Sequence, residues 1–304
     1  MKIEIRNLNM VYKNGNHAVK DINLDINPGM FGLLGPNGAG KSTLMKILVA
    51  LMKPTSGVVL VDGVDIQKQR KKLRTYLGYL PQDFRFFSRL KTWEFLDYAG
   101  SLSGLKNRKK RLETVDQLLD KVGLLEARDR KANKLSGGMK RRLGIAQALI
   151  GDPKIIVVDE PTTGLDPDER IRFRNILSDL SQQDIIIILS THIVGDISST
   201  CQDMALLNNG DLVFAGSPDK LVNETRGHVF NLSLTQDEFD TIKDNYHIIS
   251  TIPSEKGWDV QLVADTIEGY DSRQIDPNLE HAYVYFMEHR VNGSAFVTEN
   301  ITLR

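Results

Sequence analysis

This 304-residue chain has one cysteine, two tryptophans, no long hydrophobic run and no excess charge of either sign. A lone Cys201 closes no intrachain disulfide and completes no multi-cysteine zinc site, which fits a reducing compartment. No stretch nears the ~20 apolar residues of a membrane helix. The greasiest runs, Ile155–Val158 and Ile185–Leu189, are of strand length. The opening residues, Met1 to Ile5, lack the apolar core of a signal peptide, so a soluble cytoplasmic chain is the expectation. Thirty-nine basic residues balance thirty-nine acidic ones, and global charge therefore predicts no nucleic-acid partner. With 41% hydrophobic and 26% charged residues, a mostly disordered chain is excluded.

Charge is unevenly spread. From Asn223 onward fourteen acidic residues meet six basic ones, a net of −8, and the first 222 residues carry +8. That shift predicts a boundary near Leu221 to Thr225, with one domain over 1–222 and an extension over 223–304.

The first part alternates strands and helices. Ile3–Ile5 and Ala18–Ile26 read as strands around an Asn14-Gly15-Asn16 turn, and Gly32–Leu34 as a short strand entering a glycine-rich loop. Leu44–Met52 then reads as a helix closed by Pro54. Ile155–Val158 and Ile185–Leu189 suit strands covered on both faces, with a helix over Asp168–Leu180 between them. The expected class is α/β, a mainly parallel sheet with an antiparallel part. Residues 84–150 keep helical spacing and little strand signal, so they read as a helical subdomain.

Two motifs carry chemistry. Gly35-Pro36-Asn37-Gly38-Ala39-Gly40-Lys41-Ser42-Thr43 matches GxxxxGK[ST] between strand and helix, the P-loop pattern. Its glycines let backbone N–H groups converge on phosphates, Lys41 reaches the β- and γ-phosphates, and Ser42 offers a hydroxyl to Mg2+. The strand Ile155–Val158 then delivers Asp159 and Glu160 at its C-terminal end, where ligands of α/β sheets bind. Asp159 is placed to hold the metal and Glu160 to act as general base on water. Together they predict a P-loop NTPase without naming the kind.

The stretch Leu135-Ser136-Gly137-Gly138-Met139 resembles the LSGGQ signature of ABC transporter nucleotide-binding subunits. Other elements follow in the family's order over roughly the first 220 residues. Tyr12 matches the aromatic residue that stacks on adenine, and Gln82 the Q-loop glutamine, a further metal ligand. Asp166 in Gly164-Leu165-Asp166 matches the D-loop, and His192 in Ser190-Thr191-His192 the switch histidine. The resemblance implies that Ser136, Gly137 and Gly138 grip the γ-phosphate held by an opposite subunit. Two copies then sandwich two ATP molecules head to tail, beneath an integral membrane permease on the inner face of the cell membrane. Met139 departs from the usual glutamine and makes no strong hydrogen bond. Similar Leu-Ser-Gly-Gly-Met-Lys strings occur in ABC-2-type exporter ATPases, so export of a drug, antibiotic, peptide or lipid-like substrate is the expectation.

The alternative is a soluble ABC ATPase acting on DNA or ribosomes. DNA-repair members carry long coiled coils before the signature, whereas Ser136 lies only 54 positions after Gln82. Translation factors usually fuse two such domains, and one is present here. Phe84, Phe86, Phe87, Trp93, Phe95 and Tyr98 follow Gln82, either as core of the helical subdomain or as lining of a permease-docking groove. The basic run Lys106 to Arg111 reads as a solvated helix start ahead of a contact for lipid headgroups or nucleic acid. In the extension, strands are expected at Val229–Leu234, His247–Ile252 and Trp258–Val263, and helices at Glu238–Asn245 and Pro277–Val291. That order describes a small α+β module for dimerisation or regulation. Histidines 228, 247, 281 and 289 are not spaced like a metal site.

Overall fold

The computed structural model describes residues 1–84, 89–255 and 257–288. Two compact units divide between Ala215 and Gly216.

The first unit begins with strands β1 (Ile3–Val11), β2 (His17–Ile26) and β3 (Gly29–Leu34), followed by α1 (Lys41–Leu48). Then come β4 (Ser56–Val61), β5 (Val64–Asp65), α2 (Arg70–Arg74) and β6 (Leu77–Leu80). The helical stretch holds α3 (Thr92–Leu102), α4 (Arg108–Lys121) and α5 (Gly137–Leu149). It leads into β7 (Ile155–Asp159), α6 (Pro167–Ser181), β8 (Ile186–Thr191), α7 (Val194–Ser198), β9 (Asp203–Asn208) and β10 (Asp211–Gly216).

Two sheets result. One is antiparallel, in the order β2-β1-β4-β5. The other runs β10-β9-β3-β8-β7-β6, with β9, β3, β8, β7 and β6 parallel. The apolar runs explain its centre. Successive side chains of a strand point to opposite faces. Ile155, Val157, Ile186 and Ile188 accordingly join one hydrophobic cluster with β1, β2 and α1. Ile156, Val158, Ile187 and Leu189 join another with α3, α4, α5 and α6. Both faces are covered, so neither strand tolerates a polar residue there.

The helix expected over Leu44–Met52 instead spans Lys41–Leu48. It starts at the loop lysine and stops where Ala50 turns to φ +54°, outside helical backbone. The aromatic cluster is part core and part surface. Phe95 is buried and meets Phe84 edge-to-face at 6.1 Å, while Tyr98 is 44% exposed. Phe86 and Phe87 lie outside the described residues. In the basic run, Asn107 caps α4 by accepting from the Lys110 N–H at 3.1 Å, with the lysines and arginines following in the first turn.

The second unit holds α8 (Pro218–Glu224), β11 (Val229–Leu234), α9 (Gln236–Ile242), β12 (His247–Ser254), β13 (Gly257–Val263), β14 (Ser272–Gln274) and α10 (Leu279–Tyr285). Its antiparallel sheet runs β12-β13-β11-β14. Helix α8 falls with this unit, a few residues ahead of the charge shift, because it packs on α10. The helix expected over Glu238–Asn245 starts earlier, where Thr235 and Glu238 form a capping box. The one expected over Pro277–Val291 opens at Leu279 behind an Asn278 cap, and its far end and His289 lie outside the described residues.

Candidate active site

The parallel strands end on one edge, and their C-terminal residues build the site. Strand β3 runs into the loop that starts α1, β7 ends in Asp159 with Glu160 next, and β8 ends in Ser190 and Thr191 with His192 next. The register pairs Asp159 with Ser190, which brings two sequence-distant turns together.

The loop Gly35–Gly40 curls as phosphate binding requires. Gly40 sits at φ +101°, and a Cβ there would lie 2.1 Å from the Ala18 carbonyl oxygen. Only glycine fits. Gly38, at φ +85°, faces open space, so the cradle is free for a ligand. Lys41 is 4% exposed and donates to the carbonyls of Gly35 at 2.7 Å and Pro36 at 3.0 Å. Its ammonium also lies 3.5 Å from the Glu160 carboxylate. Burial pushes the Lys41 ammonium below its ordinary value, with Glu160 pulling it back up.

Glu160 is the hub. One carboxylate oxygen faces Lys41, and the other is 3.1 Å from His192 Nδ1 and 3.3 Å from the Thr163 hydroxyl. The Gln82 amide donates to that second oxygen at 3.5 Å. Ser42 Oγ lies 3.4 Å from Asp159 Oδ1, which also accepts from the Ser190 hydroxyl at 2.5 Å. Tyr12 reaches in from the antiparallel sheet, its hydroxyl 3.0 Å from that of Thr43. A cleft of about 270 Å³ is lined by Tyr12, Asn37 to Thr43, Gln82 and Glu160.

Nearly the whole expected set is therefore in one place. Asp159 and His192 touch Ser42 and Glu160, and Gly35 holds the Lys41 ammonium. Ser136, Gly137, Gly138 and Asp166 line no part of this cleft. Ser136 and Asp166 are helix N-caps, and Gly137 and Gly138 open α5. The Ser136 hydroxyl accepts from the Met139 N–H at 3.2 Å, and the Asp166 carboxylate from the Glu169 N–H at 2.8 Å. The sequence reading missed Ser190, whose hydroxyl also accepts from the Glu160 N–H at 3.2 Å. A serine just ahead of Thr-His carries no signal of its own.

The donor set fits a hard cation. Ser42, Gln82 and Asp159 offer hydroxyl, amide and carboxylate oxygens, which suit Mg2+ shared with phosphates and water. Among the described residues no group of three His, Cys, Asp or Glu side chains could hold a metal alone.

The signature helix α5 is tied to this edge twice. Arg141 donates to the Gln82 carbonyl at 2.5 Å. Arg142, 7% exposed, grips both carboxylate oxygens of Glu169 at 3.1 and 3.2 Å. A Cβ on Gly138 would come within 2.3 Å of that same carboxylate. Gly138→Ala is thus expected to push Glu169 off Arg142, leaving a buried guanidinium underpaired at a cost of about 1–3 kcal/mol. Thermal unfolding should show a midpoint several degrees lower, and an unchanged midpoint would refute the close approach.

A family model described as ABC transporter matches residues 19–163. The chain is 38% identical over 220 residues, 72% of each chain, to the uncharacterized ABC transporter ATP-binding protein YxlF of Bacillus subtilis. It is 37% identical over 214 residues to the probable multidrug ABC transporter ATP-binding protein YbhF of Escherichia coli, spanning 70% of this chain and 37% of that one. A solved structure, the dimeric post-hydrolysis state of an ATP-binding cassette bound to ADP and Pi, superposes with TM-score 0.65 and 26% identity over 71% of this chain and 98% of that one. By sequence and by fold, this chain belongs to the ABC transporter ATP-binding proteins.

Proposed function

We propose that the chain is the ATP-hydrolysing subunit of an ABC-2-type exporter, working as a homodimer beneath a separate membrane permease. The observation that carries the hydrolytic part is the buried contact of Glu160 with Lys41 and His192 at the mouth of the phosphate loop. In this reading the loop N–H groups and Lys41 hold the phosphates, Tyr12 stacks on adenine, and Ser42, Gln82 and Asp159 hold Mg2+. Bound Mg2+ supplies charge neutralisation across the phosphates. Glu160 accepts a proton from the attacking water, and His192 is close enough to Glu160 to orient both that water and the γ-phosphate. Ser136, Gly137, Gly138 and Asp166 serve the site of the opposite copy. Their place outside this cleft and the dimeric state of the similar cassette support that assignment.

Export is supported by the multidrug name of the relative YbhF and by an exposed apolar surface. Tyr98 and Leu102 of α3 stand 44% and 72% exposed beside a cleft of about 350 Å³ lined by Arg74, Tyr79, Ser103, Gln147 and Pro153. Exposed apolar side chains beside such a cleft suit a short helix on the cytoplasmic face of a permease. The extension from about residue 223 serves dimerisation or regulation, and the chain is peripheral on the inner face of the membrane. The test is to solubilise native membranes, pull the chain out and identify its companion. A polytopic membrane protein is expected, and Leu102→Asp should lose it while keeping ATPase activity. A ribosomal or DNA-bound assembly with no membrane protein would overturn the transport reading.

A further inference from the structure

We propose that Asp196 is a positioning residue that locks the turn carrying Glu160 to the turn carrying His192, an inference resting on the reading of Glu160 as general base. Asp196 lies on α7 and is completely buried. Its Oδ2 accepts from the Thr162 hydroxyl at 2.5 Å and from the Thr191 hydroxyl at 3.3 Å. Thr162 follows Glu160 by two residues, and Thr191 immediately precedes His192. The Thr191 hydroxyl in turn accepts from the Ile193 N–H at 2.9 Å, which fixes the far side of the histidine turn. One oxygen atom therefore fastens both turns within two residues of the reacting pair.

The burial itself calls for a reason. Asp196 Oδ1 has no hydrogen-bond partner among the described residues. A carboxylate so placed costs desolvation, and an apolar residue of similar size would fill the volume without that cost. An apolar residue would supply no acceptor for the two loops to share.

The turn also needs holding. Glu160 sits at φ +45°, in the left-handed region, although it carries a side chain and precedes Pro161. Such backbone persists only where its surroundings over-determine it. The Glu160 N–H is held by Ser190 on one side, and Thr162 is held by Asp196 on the other. With the second hold gone, the carboxylate of Glu160 relaxes away from His192 while the phosphate loop, which Asp196 does not touch, keeps its shape.

The test is steady-state ATPase kinetics on the full chain with Mg2+, beside nucleotide binding and thermal unfolding. Asp196→Ala is expected to lower kcat about a hundredfold, the effect of a displacement near 1 Å. KM and nucleotide affinity should hold. Asp196→Asn keeps an oxygen that accepts from both hydroxyls and should restore most of the rate, whereas Asp196→Leu, which fills the volume but offers no acceptor, should stay slow; recovery of the rate by leucine would reduce the role to packing. Should Asp196→Ala fail to fold, Thr162→Val removes the shorter bond at constant size and should lower kcat in the same way. A folded Asp196→Ala or Thr162→Val at wild-type kcat overturns the lock. Equal loss of rate and affinity in the Ala and Asn variants overturns it too. Glu160→Gln assayed in parallel separates the two ideas. Its retention of the wild-type rate refutes the general base, whereas its inactivity beside an active Asp196→Ala refutes only the lock.

Discussion

Glu160→Gln is expected to bind ATP as the parent does and to hydrolyse it about 10²–10⁴ times more slowly, the range by which a positioned general base accelerates a reaction. Glutamine keeps the shape of the side chain and can still face His192 and Gln82, which contact the Glu160 carboxylate at 3.1 and 3.5 Å. It cannot take up a proton at neutral pH. Lys41 would lose the anion 3.5 Å from its ammonium, so its charge would be freer for phosphate. Binding should therefore survive or tighten. A dimer closed over unhydrolysed ATP should then accumulate. Size-exclusion chromatography with light scattering should show monomer without ATP and dimer with it. A variant that hydrolyses at the parent rate would remove Glu160 from the chemistry. One that stays monomeric at saturating ATP would argue against the homodimer.

Lys41→Ala should damage both binding and turnover, and through a different route. The ammonium is 4% exposed and held by two loop carbonyls, so it is preorganised on the phosphate side of the cleft. Losing one such charge from a site of developing negative charge costs about 10²–10³-fold in rate. Alanine also leaves the buried Glu160 carboxylate without its cation, which favours a phosphate still less. ATP affinity by calorimetry and phosphate release should both fall steeply. Retention of the parent ATPase rate by the purified variant would refute the P-loop assignment.

Much of this site was legible because its signals are local. The glycine spacing before Lys41 dictates a loop whatever surrounds it, and Gly40 shows why, with the Ala18 carbonyl where a side chain would go. The unbroken apolar runs before Glu160 and His192 could only be strands with two covered faces. The relation between those runs was not legible. Asp159 meets Ser190 through strand register, and the hydroxyl of Ser190 looks like any other until that pairing exists. Short strands failed for the same reason. Leu77–Leu80 contains a glycine that lets the strand lie against the Ala148 carbonyl, and Ser272–Gln274 is polar throughout, so neither has a pattern of its own. The aromatic cluster after Gln82 was ambiguous because spacing does not say which side of α3 meets solvent.

The hydrogen bond from Arg141 to the Gln82 carbonyl has a consequence for two sites working together. It fastens the helix that follows Ser136 to the turn whose amide faces Glu160. In the head-to-tail pair proposed above, the helix assigned to the neighbour's nucleotide would be joined by this bond to the turn that completes its own site. On the proposed pairing, closure over one ATP is expected to shift the ligand geometry around the other, which would couple the two hydrolytic events. The expected signature is a sigmoidal dependence of turnover on ATP concentration, one that becomes hyperbolic when Arg141 is shortened to alanine.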